Sequence, residues 1–125
     1  YLEFSDVHFS ALNDKVSARD YARKAIELQP DNGKPYILIG RMYADSQQSC
    51  GKDDFEQRAV LWAAVDMFVK AKSVDPSIAE EANGYINSYQ PRFPDKKTIF
   101  FHNYELGDSY TVGCWINTTT TVREP

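Results

Sequence analysis

The chain has 125 residues, enough for one domain or a short array of repeats with a sizeable core. Its formal net charge is −4, and no basic run is longer than two, so the cationic footprint of a nucleic-acid binder is absent. No apolar run approaches the length of a membrane span and no signal-peptide pattern is visible. Because the chain opens on Tyr1 inside a helical pattern, we expect it to be part of a longer protein.

Residues 2–12 form a loose helical pattern, with Phe4, Val7, His8 and Ala11 on one side and Phe9 and Leu12 widening it. Asn13 and Asp14 supply turn and capping oxygens. The next helix, about 15–29, is expected to carry Ala18, Ala22, Ala25 and Leu28 inward and Arg19, Arg23 and Lys24 outward. Pro30 stops it, since proline lacks an N–H and clashes with the preceding turn. After the Asp31-Asn32-Gly33 turn, Pro35 suits a first helical turn, and the helix 35–45 presents Tyr36, Ile39, Gly40 and Tyr43 on one face.

Residues 46–57 are part loop and part helical turn, with Asp53 and Glu56 forming a capping box. A helix over about 54–73 follows, in which Phe55, Ala59, Trp62, Val65 and Met67 enlarge the apolar surface. Ser77 and Glu80 predict a second capping box and a helix over 78–89, ended by Pro91. Beyond Asp95 the period changes to two: residues 98–103 are rich in β-formers, and Leu106-Gly107-Asp108 is a turn signal. Then Tyr110, Val112, Cys114 and Ile116 alternate with Ser109, Thr111, Gly113 and Trp115. Residues 118–122 are either a third short strand or an extended tail.

The spacing Tyr36–x2–Ile39–Gly40–x2–Tyr43, then Ala64–x3–Phe68–x2–Ala71–x4–Pro76, resembles the tetratricopeptide repeat (TPR). Ala18, Ala22, Ala25 and Pro30 repeat its second half, with Ala22 where an aromatic is usual. The resemblance covers roughly residues 1–90, and the second half of the middle repeat arrives late because of the insertion 46–57. It implies a mainly α fold of about five helices in antiparallel pairs, wound as a right-handed superhelix. Residues 1–94 form that array, and 95–125 form a small antiparallel β-hairpin packed on it as a cap within the same structural unit. In the family the concave surface binds a peptide or partner protein without cofactor or metal. Carried over by position, the groove residues are Lys34, Ile37 and Arg41, then Glu80, Asn83 and Asn87. The family's carboxylate clamp is not reproduced, since Arg41 stands where it has Asn and Glu3 and Val7 do not fit. The closing hairpin sequence looks like the C-terminal end of larger bacterial TPR proteins, which implies further repeats upstream. A structural role, capping or self-association at the cell envelope, is the alternative to a binding module.

Two cysteines remain. If the hairpin folds back over the array, Cys50 and Cys114 meet in a disulfide closing a loop of about 65 residues, which stabilises by ~4 kcal/mol in the chain-entropy account. The compartment is then oxidising, a periplasm or cell envelope. The alternative is one buried and one exposed thiol, unrelated, and then the cytoplasm. A thiol enzyme built from His102, Asp108 and Cys114 is a minor reading, because all three lie in one hairpin and the ordinary role is packing. Asp53-Asp54 and Glu80-Glu81 sit at helix starts, where the helix dipole explains them. Asn117-Thr118-Thr119 matches a glycosylation triplet of a length expected by chance.

Overall fold

The computed structural model describes residues 15–125; the expected helix 2–12 and its Asn13-Asp14 turn lie outside them. The chain is mainly helical with one two-stranded antiparallel sheet. Helix α1 spans Lys15–Leu28 and α2 spans Lys34–Asp45, separated by the turn after Pro30. Lys15 pairs with Asp45 at 3.4 Å and Arg19 reaches Tyr43, so the two helices run antiparallel. A four-residue helix α3, Gln47–Cys50, follows at once, and α4 spans Asp54–Val74. As the sequence predicts, the Asp53 carboxylate caps α4 by accepting from Glu56 N–H at 2.8 Å. Glu56 reaches back to the N–H of Lys52, one residue earlier than in the usual reciprocal box.

Helices α2 and α4 also cross antiparallel, and Gly40 lies at a close approach between them. A Cβ there would stand 2.7 Å from the Phe68 ring and 3.0 Å from the Ala64 carbonyl, so only glycine lets the backbones approach. Helix α5, Ala79–Tyr89, packs back on α4, with Phe68 stacked on Tyr85 at 4.9 Å. Its predicted cap is corrected. Ser77 is not the capping residue, because a short 3-10 turn, Pro76–Ile78, precedes α5 and Asp75 caps that turn instead. Asp75 accepts from Ser77 N–H and from Gly33 N–H at 3.0 Å, which joins the α1–α2 turn to the end of α4.

The β reading of 98–103 is also corrected: Lys96–Phe101 is a helix, α6. Asp95 accepts from Thr98 N–H at 2.7 Å, and this cap fixes the first turn despite the β-formers Thr98, Ile99, Phe100 and Phe101. Only Ile99 of α6 is buried. The hairpin forms later in the chain. Strand β1, Ser109–Val112, pairs with β2, Thr118–Thr121, in the register Ser109↔Thr121 to Val112↔Thr118. The alternation predicted through Ile116 stops at Val112, since Cys114 and Asn117 adopt left-handed backbone (φ 62° and 43°) and residues 113–117 become the connection. Residues 118–121 are therefore the second strand of the hairpin.

The hairpin lies on α4. Trp62 donates from Nε1 to the Arg123 carbonyl at 2.9 Å, and Arg123 returns a bond to the Trp62 carbonyl at 3.0 Å. Asp66 of α4 pairs with Arg123 at 3.0 Å and accepts from the Thr120 hydroxyl. Val112, Ile116 and Val122 join the same buried cluster as Met42, Trp62 and Phe68, so helices and hairpin share one core. None of the described helices is long and apolar enough to cross a membrane.

Candidate functional site

The six groove positions divide by helix. On α2, Lys34 and Arg41 are exposed two turns apart, while Ile37 is only 5% exposed. Ile37 therefore belongs to the core and offers no solvent-facing contact, a correction to the groove set. On α5, Glu80, Asn83 and Asn87 are all exposed at steps of three and four, which places them on one face. Asn83 already accepts from Lys72 Nζ of α4 at 2.8 Å. What remains is a polar, mixed-charge pair of helix faces.

The insertion has a defined destination within the chain. Cys50, at the end of α3, is disulfide-bonded to Cys114 in the hairpin connection, with Cα atoms 5.4 Å apart. Gly51 admits no side chain, because a Cβ would come within 2.7 Å of the Gln57 Cα as the chain doubles back into α4. Gln47 accepts from Arg92 at 3.0 Å, and Ser46 accepts from Trp115 Nε1 at 3.0 Å while donating to the Met42 carbonyl. Residues 46–57 thus meet the chain beyond α5 at several points, Phe55 adding ring contacts with His102, Tyr104 and Tyr110.

Arg19 is the residue the periodicity misplaced. Expected outward, it is 9% exposed. Its Nη1 donates to the Ile116 carbonyl at 2.8 Å and to the Tyr43 hydroxyl at 3.2 Å, and its guanidinium lies 5.0 Å from the Trp115 ring centre. Trp115 in turn packs on Tyr43 at 5.4 Å. Its predicted position on the solvent side of a strand is corrected: the left-handed turn at Cys114 swings it into the α1–α2 seam. Nothing local signals this, because the cover comes from 97 residues away. Leu28, expected inward, is exposed in the last turn of α1.

No group of three or more His, Cys, Asp or Glu side chains that could hold a metal ion is assembled among the described residues. Cys114 is bridged, His102 stacks on Phe55 at 4.1 Å, and Asp108 accepts from Glu105 N–H, so these three do not form a triad. Asp53 is occupied as a cap and Asp54 pairs with Arg58 at 3.0 Å. The backbone N–H of Gly33, then the Ser77 hydroxyl, hold Asp75 below its ordinary pKa, and the Thr98 N–H does the same for Asp95. Burial, reinforced by nearby Glu56, pushes Tyr110 up to about 12. All three shifts have structural causes. Comparison with protein-family models, curated proteins and solved structures returns no match.

Proposed function

We propose that this chain is a non-catalytic interaction module: a TPR-type array whose α2 and α5 faces take an extended segment of a partner protein. The observation that carries this reading is the antiparallel run α1–α2–α4–α5, with Gly40 packed on Phe68 and Ala64 where the repeat signature needs its smallest residue. The recognising residues are Lys34, Arg41, Glu80, Asn83 and Asn87, and no cofactor or metal takes part. In this reading further repeats stand upstream and continue the superhelix. The disulfide favours an oxidising compartment, a periplasm or cell envelope.

The test is affinity capture with the chain immobilised, comparing wild type with Arg41→Glu combined with Asn83→Ala. Loss of specifically retained proteins with an unchanged circular dichroism spectrum is the expected result. An unchanged set of retained proteins overturns the groove assignment. A second reading, a stapled end-cap or self-association segment of a larger envelope protein, is favoured by the depth to which the hairpin enters the core. Light scattering separates the two, since a mass independent of concentration argues against self-association.

A further inference from the structure

We propose that the Cys50–Cys114 bridge is a redox latch: reduction by a small thiol frees residues 113–117 from the α1–α2 seam while both β-strands stay docked on α4. The inference does not depend on the binding role proposed above.

Three observations carry it. First, the bridge is reachable. Cys114 is exposed and Cys50 half-buried, and both line a surface cavity of about 440 Å³ with Gly51, Glu56 and Tyr110. Second, the two parts of the hairpin have separate anchors. The strands are held by hydrogen bonds and an ion pair among Arg123, Thr120, Trp62 and Asp66, none of which is a bond to residues 113–117. The connection is held by the bridge, by Trp115 on Ser46 and Tyr43, and by Arg19 on the Ile116 carbonyl.

Third, the closed connection carries opposing costs. Cys114 and Asn117 both occupy left-handed backbone without being glycine. Arg19 is a buried cation with no ion-pair partner among the described residues, and its Nε has no acceptor. Opening hydrates that guanidinium and relaxes both backbone positions, which offsets the exposure of Ile116 and one face of Trp115. The bridge is what keeps the balance on the closed side.

The chemistry balances with a monothiol such as glutathione as reductant. Its thiolate attacks Cys114 Sγ, the S–S bond breaks, and the electron pair leaves on Cys50 Sγ, which takes a proton. A second thiolate attacks the small-molecule sulfur of the mixed disulfide and expels Cys114, which is then protonated. Two thiols become one small disulfide, and the protein gains two electrons and two protons.

The experiment is hydrogen exchange by mass spectrometry on the 125-residue chain, air-oxidised and then treated with reduced glutathione, together with tryptophan emission. We expect exchange over 113–117 to rise by about tenfold or more, with strand amides changing by less than about twofold. Trp115 emission should shift to the red, a shift missing in Trp115→Phe, and oxidised glutathione should reverse both effects. The Cys50→Ser/Cys114→Ser variant should show the open pattern without reductant. Two free thiols in the air-oxidised chain, unchanged exchange over 113–117, equal deprotection of the strands, or an unfolded double variant would each overturn the proposal.

Discussion

Gly40 shows how one missing atom sets a helix crossing. Gly40→Ala gains roughly 1 kcal/mol of helix propensity, but its Cβ meets the buried Phe68 ring at 2.7 Å and a backbone carbonyl that cannot rotate away. Overpacking of this kind costs about 1–3 kcal/mol, so we expect net destabilisation, read as a lower urea midpoint with an unchanged slope. Asp75 acts through charge. Its folded pKa is depressed, so its contribution is full above the unfolded carboxylate range and disappears as pH falls through the lower folded value. Asp75→Asn should therefore be less stable than wild type at neutral pH, and the gap should close in acid. A gap independent of pH in denaturant titrations would contradict the assignment.

At the scale of elements, α6 is the informative case. Its sequence reads as strand from composition, yet one carboxylate before it turns the segment helical. Asp95→Ala removes the bond to Thr98 N–H and should loosen the first turn of α6. The effect should be concentrated in α6, seen as faster amide exchange over Lys96–Phe101 with α4 unaffected. The same comparison explains what the sequence could reveal. Pro30, the Asp53 cap, Gly40 and the Ala64–Phe68–Ala71 stripe act within a few residues or between adjacent helices, so spacing alone placed them. The Asp95 cap before α6 is equally local, but the four β-formers at 98–101 carry the stronger compositional signal. Arg19 and Trp115 were beyond reach for another reason: their environment is assembled across the whole length of the chain, and no window contains both sides of it. Of the candidate site, the groove positions came only from the TPR resemblance and the cysteine pairing was an open possibility, while Ile37 needed the packing to show that it faces the core.

For the molecule as a whole, the bridge spans 64 positions and ties the excursion after α2 to the last quarter of the chain. In the chain-entropy account a closure of that length is worth about 4 kcal/mol through the unfolded state, apart from any hold on the folded connection. Thermal unfolding with and without reductant should accordingly separate by many degrees, and the Cys50→Ser/Cys114→Ser variant should match the reduced sample in either buffer. Equal midpoints would show that the bridge adds nothing to the native balance.

Placing Val112, Ile116 and Val122 in the core also has a consequence for how the chain comes to be folded. A plain helical array can close repeat by repeat as it leaves the ribosome, each new pair sealing the one before. Here Trp62 receives its carbonyl partner from Arg123, 61 positions later, and Arg19 waits for Ile116. The helices form early from local contacts, but their apolar seam stays uncovered until residues 112–123 have followed. During synthesis the helical part is an unfinished surface, and the hairpin 109–121 is the segment that must find it.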